Sequence, residues 1–285
     1  MKKITKAVIP AAGYGSRFLP VTKAVPKEML AIVDRPTLHY IVEEAAESGL
    51  TDILIIINEG KDAVNNYFGN NPLYERLKSH PNLAELENLL ARANITYTYQ
   101  HVLNGNGAAV QLAKDFAGDE PFVVMFGDDL IYNPQNPCAK QLTEAYYKTG
   151  KTILGVQEIP PADAVKYGVV KKGKEEGRFC EVKGIIEKPA IDKLPSTLCS
   201  LGRFLLKPNI FDALERAPLK NNELYLTDAI DIIAKEEGVV AYNFEGRRYD
   251  IGDKFGFMQA NIEYGLRSPY GQKLKAYLEN LVGKL

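Results

Sequence analysis

Two uninterrupted apolar runs constrain the fold more strongly than any other feature of the sequence. Residues 53–57 and 122–126 are apolar at every position, and a helix-like segment precedes each run. A strand that is apolar throughout is typical of a parallel sheet whose two faces are both covered. The first half repeats this strand–helix–strand pattern, beginning with a short strand over residues 7–9. We therefore predict an α/β fold: a Rossmann-like, mostly parallel mixed sheet flanked by helices.

The pattern changes after about residue 150. Before it, apolar spacing predicts helices over residues 36–49, 82–93 and 107–114, and a strand over 95–99. After it, the segments are strand-rich, at residues 152–157, 168–171, 179–187 and 198–206, with helices at 224–235, 255–265 and 272–281. With no Ser/Gly-rich linker between them, we predict one domain over residues 1–285, consisting of a first half (1–150), a strand-rich second half (151–267) and a C-terminal helix (268–285).

Composition excludes several classes of function. The net charge of −1 provides no basic field for nucleic acid or an anionic membrane. Three widely spaced cysteines form neither a disulfide framework nor a zinc cluster, and are expected to be reduced. We see no signal peptide and no membrane-spanning apolar stretch. We therefore expect a soluble, cytoplasmic protein with no nucleic-acid or membrane partner.

The first strand leads into a glycine-containing loop, AAGYGSR, at residues 11–17. In open α/β sheets, ligands bind beyond the carboxyl ends of the strands. Small residues let backbone N–H groups approach a base or a phosphate, and Arg17 offers a planar fork for phosphate oxygens. A dinucleotide fingerprint would need a glycine where this chain has Phe18, and a P-loop would need Gly-Lys-Ser/Thr. Taken alone, the loop is also compatible with an ordinary strand–helix turn.

The loop continues into a longer motif, AAGYGSRFLPVTKAVPKEMLAIVDRP, at residues 11–36. This motif resembles the opening of the sugar nucleotidylyltransferase family, and recognisable segments extend from residue 6 to about residue 267. The resemblance implies an enzyme that transfers UMP from UTP to glucose 1-phosphate, giving UDP-glucose and pyrophosphate, with Mg²⁺ as cofactor. It also implies that residues 1–150 bind the nucleotide and residues 151–267 bind the sugar phosphate.

The resemblance assigns residues to the nucleotide. It implies that the uridine contacts Ala11, Ala12 and Gly13, and that the triphosphate is held by Arg17 and Lys27. Gln100 ends a predicted strand and Gly105 opens a predicted helix, and a side-chain amide can pair with the edge of a pyrimidine. The family pattern implies that both residues read the base.

Carboxylates follow the second apolar run. Asp128 and Asp129 lie directly after it, and Asp250 lies in the segment YDIGDK. One or two carboxylates, with phosphate oxygens and water, suit Mg²⁺. The resemblance implies that Asp128 and Asp250 bind the metal and that Asp128 also contacts the nucleotide. Asp129 is either a further ligand or a loop cap.

Three short segments are assigned to the sugar side, at residues 167–170, 187–189 and 202–204. The resemblance implies that Gly168 and Glu187 bind glucose. It also implies that Lys188 binds the sugar phosphate and forms the catalytic set with Arg17 and Lys27. Residues 222–230 are expected to shape the pocket wall.

Alternative functions remain open at this point. Within the family, dTTP could replace UTP, because the two pyrimidines present nearly the same edge. An NAD-dependent dehydrogenase or a non-catalytic sugar-nucleotide sensor would use a similar fold. Enzymes that this chain resembles are commonly dimers or tetramers, so we expect a homo-oligomer. The apolar stripe of the last helix is expected to pack on its own domain, with a subunit contact as the alternative; it comprises Leu274, Tyr277, Leu278 and Leu281.

Overall fold

The computed structural model of the chain describes residues 2–69 and 71–284. Its fifteen strands, in chain order, are β1 (Lys6–Pro10), β2 (Ala31–Ile32), β3 (Arg35–Pro36), β4 (Asp52–Ile57), β5 (Asn94–Tyr99), β6 (Phe122–Met125), β7 (Asp129–Tyr132), β8 (Thr152–Glu158), β9 (Gly168–Glu176), β10 (Phe179–Glu187), β11 (Leu198–Leu206), β12 (Leu219–Lys220), β13 (Glu223–Leu224), β14 (Val239–Asn243) and β15 (Arg247–Asp250).

The α-helices are α1 (Thr37–Glu47), α2 (Asp62–Phe68), α3 (Ala84–Leu90), α4 (Asn106–Gln111), α5 (Lys114–Ala117), α6 (Cys138–Thr149), α7 (Pro161–Ala164), α8 (Ile210–Arg216), α9 (Leu226–Glu236), α10 (Lys254–Arg267) and α11 (Gly271–Val282). Short 3₁₀ turns occur at Ser16–Phe18, Val21–Lys23, Lys27–Met29, Pro72–Leu77, Pro81–Leu83 and Ile191–Lys193. Across residues 2–69 and 71–284, no helix is both long and apolar enough to cross a membrane.

One mixed sheet of nine strands forms the centre of the molecule, in the order β5-β4-β1-β6-β11-β8-β14-β10-β9. The four neighbouring strands β5, β4, β1 and β6 are mutually parallel, as predicted. Strand β11 pairs antiparallel with both β6 and β8, and so joins the two halves of the chain into one sheet. Strands β9 and β10 form an antiparallel hairpin at the far edge, and β9 also pairs with the start of β11.

The side chains of the central strands alternate between two apolar cores. In β4, Ile53, Ile55 and Ile57 pack on the face covered by α1, α2 and α6, whereas Leu54 and Ile56 pack on the face covered by α4, α8 and α9. Because both faces are covered, an apolar residue is favoured at every strand position. The continuous apolar runs in the sequence reflect this burial.

A smaller layer lies beside the main sheet. Strand β7, which follows β6, pairs antiparallel with β15 so that Asp129 lies opposite Asp250. Helix α10 packs against β15, and Tyr249 and Ile251 are buried in a third, smaller core. This layer brings the late YDIGDK segment next to the end of β6.

Several predicted elements differ from the structure. The helix predicted over residues 82–93 is a 3₁₀ turn followed by the shorter α3, and the one predicted over 107–114 is divided into α4 and α5. Helices α2, α6 and α8 and strands β7, β14 and β15 were not predicted. The apolar residues of α6 are interrupted by polar ones, and each of the other five elements is at most seven residues long, which is too short to show a clear period. Residue 285, at the end of the predicted C-terminal segment, lies outside the described residues.

The last helix is less buried than predicted. Leu274 and Leu278 are half-buried, and Leu274 faces Gly265 of α10. Tyr277 is 62% exposed and Leu281 is 39% exposed, so packing on its own domain covers only part of the predicted stripe.

Candidate active site

The carboxyl ends of the four parallel strands meet at one edge of the sheet, and the predicted nucleotide residues lie there. The loop at residues 11–15 follows β1, Gln100 follows β5, and Asp128 lies between β6 and β7. A cavity of about 470 Å³ opens between these segments. It is lined by Pro10, Ala12, Gly13, Tyr14, Lys27, Gln100, Leu103, Gly105, Asn106, Ala109, Phe126, Asp128 and Glu223.

Gln100 and Gly105 form a rigid pair on one wall of this cavity. Gln100 is buried, and its side-chain amide nitrogen donates a hydrogen bond of 3.2 Å to the Gly105 carbonyl oxygen. The same nitrogen also donates a longer hydrogen bond of 3.5 Å to Oδ1 of Asn104. With both hydrogens of the nitrogen engaged, the amide oxygen is the atom that can accept from the N–H of a pyrimidine ring. Gly105 has a φ of 108°, and a Cβ there would lie 2.3 Å from the Leu224 carbonyl oxygen. Only glycine fits this position.

Lys27 and Asp128 form an ion pair on the floor of the cavity, with 2.5 Å between Nζ and Oδ2. Burial acts to lower the pKa of Lys27, but the carboxylates of Asp128 and Glu28 outweigh it and raise that pKa to about 12. Burial likewise acts to raise the pKa of Asp128, yet the Lys27 ammonium holds it below its usual range. Both groups are therefore charged at neutral pH.

Asp128 and Asp250 converge on a gap that the missing side chain of Gly252 leaves open. A Cβ at Gly252 would lie 3.0 Å from Oδ2 of Asp128 and 3.2 Å from Oδ1 of Asp250. No group of three or more His, Cys, Asp or Glu that could hold a metal occurs in the part of the chain that the structure describes. Two carboxylates beside an open cavity fit a cation such as Mg²⁺, which completes its coordination with phosphate oxygens and water.

Arg248 is a site residue that the sequence analysis missed. Its side chain is only 8% exposed and forms an ion pair with Asp129, with 2.6 Å between Nε and Oδ1. Another nitrogen lies 3.6 Å from Oδ2 of Asp250. The alternation of a strand puts Arg248 and Asp250 on one face, and this spacing is a signal that could have been used.

Asp129 is held by this ion pair with Arg248, and its role as a metal ligand or a loop cap stays a prediction. Burial raises the pKa of Asp129 to about 6, against the opposing effect of the Arg248 guanidinium. A Cβ at Gly202, which has a φ of 57°, would lie 2.2 Å from an Asp129 oxygen. Gly202 is therefore required for Asp129 to occupy this position.

A second cavity, of about 360 Å³, adjoins the first. The two cavities share Asn106, Phe126 and Asp128 as lining residues. The second is also lined by Arg17, Asp129, Lys166, Tyr167, Gly168, Glu187, Lys188, Ser200, Gly202, Phe204, Leu226, Thr227, Arg248, Asp250 and Asp253. The predicted sugar-side residues Gly168, Glu187 and Lys188 thus come together here.

The wall of the second cavity is held by close packing. Gly168 pairs with Glu187 across the β9–β10 hairpin, and a Cβ at Gly168 would lie 2.8 Å from the Thr227 side chain. Thr227 donates a hydrogen bond of 3.0 Å to Glu187, and burial raises the pKa of Glu187. Lys188 has a φ of 44° and its backbone N–H donates to the Tyr167 carbonyl oxygen, which turns the exposed ammonium towards the cavity rim.

Arg17, Ala11 and Arg203 do not line the cavity to which the sequence prediction assigned them. Arg17 lines the second cavity, where it donates to the Gly252 carbonyl oxygen at 3.3 Å. Ala11 is buried and lines neither cavity, unlike Ala12 and Gly13. The assignment of Arg203 to the sugar side is wrong, because its fully buried guanidinium points away and pairs with Glu44 at 2.6 Å.

The chain is similar to known proteins over nearly its whole length. Residues 6–265 match the nucleotidyl transferase family. UTP–glucose-1-phosphate uridylyltransferase of Staphylococcus epidermidis is 45% identical, covering 99% of each chain. The protein of the same name from Staphylococcus haemolyticus is 43% identical, covering 100% of this chain and 99% of the relative.

Solved structures agree with these sequence matches. A UDP-glucose pyrophosphorylase complexed with UDP-glucose is 37% identical, with a TM-score of 0.87, and covers 93% of this chain and 100% of its own. A UTP-bound UGPase from Acinetobacter baumannii is 32% identical, with a TM-score of 0.89, and covers 98% of this chain and 100% of its own. The chain therefore belongs to the nucleotidyl transferase family.

Proposed function

We propose that this enzyme transfers UMP from UTP to glucose 1-phosphate and releases pyrophosphate. The observation that carries the proposal is that the two cavities meet at Asp128, with Lys27 on one side and Lys188 on the other side of the combined cleft. A nucleotide and a sugar phosphate can therefore approach each other at a carboxylate flanked by cations. The names of the Staphylococcus relatives support these two substrates.

The reaction is a substitution at the α-phosphorus of UTP. An oxygen of the sugar phosphate forms a bond to that phosphorus, and the bond to the oxygen that bridges the α- and β-phosphates breaks. Pyrophosphate leaves with that oxygen, and UDP-glucose is the other product. Because the attacking phosphate is already an anion, the site needs no strong general base. Catalysis then depends on positioning and on neutralising charge between two polyanions.

UTP binds in the first cavity. Gln100 and Gly105 read the uracil edge, and the backbone of Ala12 and Gly13 packs against the uridine, with the buried Ala11 supporting it. Lys27 in the first cavity and Arg17, which lines the adjoining second cavity, hold the triphosphate; Lys27 must exchange its ion pair with Asp128 for phosphate oxygens. Its raised pKa keeps it cationic for this role.

The residues of the second cavity bind glucose 1-phosphate. Glu187 accepts hydrogen bonds from glucose hydroxyls, and the absence of a side chain at Gly168 gives the ring room. Lys188 neutralises the sugar phosphate as it approaches the α-phosphorus.

Members of this family use a divalent metal. We assign Mg²⁺ to Asp128 and Asp250, on the support of the gap at Gly252. When bound, the ion neutralises charge on the phosphates. Arg248 and Tyr167 orient the Asp250 carboxylate, while Lys27 next to Asp128 and Arg17 next to Gly252 supply positive charge.

We also propose a cytoplasmic homo-oligomer, a dimer or a tetramer. The three cysteines are buried thiols without disulfides, which suits a reducing compartment. Exposed apolar side chains on α10 and α11 would be covered in such an assembly; they include Phe255, Met258, Ile262, Tyr277 and Val282.

The decisive experiment measures pyrophosphate release with glucose 1-phosphate and Mg²⁺, with UTP, dTTP, CTP, ATP and GTP in parallel. Selective release with UTP is expected. Release with dTTP instead would make the enzyme a thymidylyltransferase and overturn the nucleotide assignment. No release with any nucleotide, from folded protein, would overturn the proposed reaction.

The dehydrogenase alternative is wrong, because the chain belongs to a transferase family.

A further inference from the structure

A second buried ion pair contacts the loop at residues 11–15 and lies outside both cavities. Lys61 is 4% exposed and Glu28 is 1% exposed, and 2.6 Å separates Nζ from Oε2. Neither residue lines a cavity, so neither is placed to touch a substrate. A fully buried ion pair adds little net stability, because desolvating the two charges offsets their attraction. Its presence directly behind a binding loop therefore calls for another explanation.

Lys61 also contacts the loop itself. Its ammonium donates a hydrogen bond to the Ala11 carbonyl oxygen. The side-chain amide of Asn58, three residues earlier, donates to the carbonyl oxygen of Ala12. The Ala11 N–H in turn donates to Ile56 at 2.8 Å. Two successive carbonyl groups are thus held towards β4 and the start of α2.

The geometry of the peptide bond turns this anchoring into a direction for the next N–H groups. In a planar trans peptide, the C=O of one residue and the N–H of the next point in opposite directions. Holding the Ala11 carbonyl towards Lys61 therefore aims the Ala12 N–H away from Lys61. Holding the Ala12 carbonyl towards Asn58 likewise aims the Gly13 N–H away from Asn58. Ala12 and Gly13 are the loop residues that line the first cavity.

Glu28 links this anchor to the other half of the nucleotide site. It lies next to Lys27, whose Nζ is 4.0 Å from Oε1 of Glu28. A Cβ at Gly127, just before Asp128, would lie 3.2 Å from the Glu28 side chain. One buried carboxylate thus packs against the loop anchor, the triphosphate lysine and the turn that carries Asp128. Within the described residues, its Oε1 is buried without a hydrogen-bond partner.

We propose that Lys61 and Glu28 are positioning residues, which hold the backbone of residues 11–13 in the conformation that binds the nucleotide. This inference rests on the proposed function only for the identity of that nucleotide, UTP. The pair contacts the loop and Lys27, and neither of its residues lines the second cavity. Its loss should therefore weaken nucleotide binding and leave the recognition of glucose 1-phosphate unchanged.

The test compares Lys61→Met with the double variant Lys61→Met/Glu28→Met. The single variant loses the loop contact and leaves the buried Glu28 carboxylate with only the more distant Lys27 ammonium, at 4.0 Å. The double variant removes both charges and should recover stability, because apolar residues commonly replace buried ion pairs without loss. The matched control is Leu142→Ala in α6, which packs chiefly on β8, β11 and α1; the substitution lowers stability by creating a cavity in the core without removing a hydrogen bond to the loop.

Calorimetry with UTP and Mg²⁺, together with urea unfolding, separates positioning from stability. We expect the Kd of UTP to rise about tenfold or more in both Lys61 variants, including the stable double variant, because a hydrogen bond from a charged group is lost from the loop. The KM for glucose 1-phosphate should change less than twofold, and Leu142→Ala should bind UTP normally.

Unchanged UTP affinity in the folded double variant would overturn the positioning role, whatever its stability. Equal weakening in Leu142→Ala would also overturn it, because the effect would then follow stability alone. If the unmodified enzyme bound a different nucleotide and not UTP, the proposed substrate would fail. The same variants would then be measured with that nucleotide, and a normal Kd there would reject the positioning role separately.

Discussion

The hydroxyl group of Tyr167 donates a hydrogen bond of 2.6 Å to Oδ2 of Asp250. The same oxygen of Tyr167 accepts from Arg248 at 3.1 Å, and the guanidinium stacks on the ring with its carbon 4.5 Å from the ring centre. A residue at the start of the sugar-side hairpin is thereby joined to a candidate metal ligand 83 residues away. This contact couples the sugar-side hairpin to the candidate metal ligand through side chains that all line the second cavity.

Tyr167→Phe tests this coupling. The ring and its stacking on Arg248 remain, but Asp250 loses a hydrogen bond to its charged oxygen, a contribution of about 1.5–3 kcal/mol. We expect kcat to fall about tenfold and the half-saturating Mg²⁺ concentration to rise. Steady-state kinetics over a Mg²⁺ series measures both, with Tyr277→Phe on exposed α11 as the control. Full activity at low Mg²⁺ would contradict the coupling.

Gly252→Ala tests the gap between the two aspartates. The added methyl group would lie 3.0 Å and 3.2 Å from the two carboxylate oxygens, where the metal is assigned. We expect metal affinity to fall about tenfold or more, while the unfolding free energy changes little. Binding of Mn²⁺, followed by electron paramagnetic resonance, reports the affinity without turnover. Gly283→Ala near the C-terminus is the control, and equal affinity in both variants would argue against a metal at this position.

Lys27→Met tests the triphosphate contact. The variant loses a cation that is preorganised next to Asp128, and one such contact is worth about 3 kcal/mol in the transition state, or roughly a hundredfold in rate. We expect that loss in kcat/KM for UTP and a weaker Kd for UTP. Lys174→Met, at a lysine whose side chain is 81% exposed, should behave as the unmodified enzyme. Unchanged kinetics in Lys27→Met would remove this residue from the catalytic set.

Lys188→Ala tests the sugar-phosphate contact. We expect a higher KM for glucose 1-phosphate together with a lower kcat, because the same charge acts in binding and in the transition state. The Kd of UTP alone should stay unchanged. Lys183→Ala is a matched control, since both lysine side chains are 53% exposed and belong to the same segment. Normal turnover in Lys188→Ala would refute the role.

The buried His39 should lower the free energy of unfolding in acid. It is buried beside Tyr67, and burial, with a smaller effect of Arg35, lowers its pKa from 6.5 to about 4. In the unfolded chain His39 binds a proton below pH about 6.5, whereas in the folded protein it does so only near pH 4. The stability that comes from burying neutral His39 is therefore fully present above pH 6.5 and is lost as the pH falls towards 4. Urea unfolding at pH 7.5 and pH 5 should differ by about 2 kcal/mol more in the unmodified protein than in His39→Gln. An equal pH dependence in both proteins would contradict this.

Local patterns were sufficient to predict much of this molecule. The apolar runs indicated the parallel strands, and the motif at residues 11–36 indicated the family; both predictions are confirmed. Elements with few apolar residues were missed, because periodicity detects only segments that bury a continuous face. The individual site roles stay predictions until the variants above are measured.

Which side chains pair with one another could not be predicted from the sequence, for a different reason. Arg203 was assigned to the sugar side as part of the segment 202–204, yet neighbours along a strand point to opposite faces, and its guanidinium pairs with Glu44 in the core. Arg248 and Lys61 belong to no motif identified in the sequence, and Glu28 lies in the motif at residues 11–36 without an assigned role. Their partners are distant in sequence, so the order of the strands decides which charges meet.

The sequence by itself determined the alternation of strands and helices, the glycines that permit close approach, and the linear motifs of the family. These are properties of a few consecutive residues, because strand burial and tight turns depend on local side chains. The tertiary structure alone decided that Tyr167 bonds Asp250, that Lys61 anchors Ala11 through a buried pair with Glu28, and that the two cavities meet at Asp128. Each of these contacts joins segments brought together by the pairing and packing of the sheet, and no local pattern specifies that arrangement.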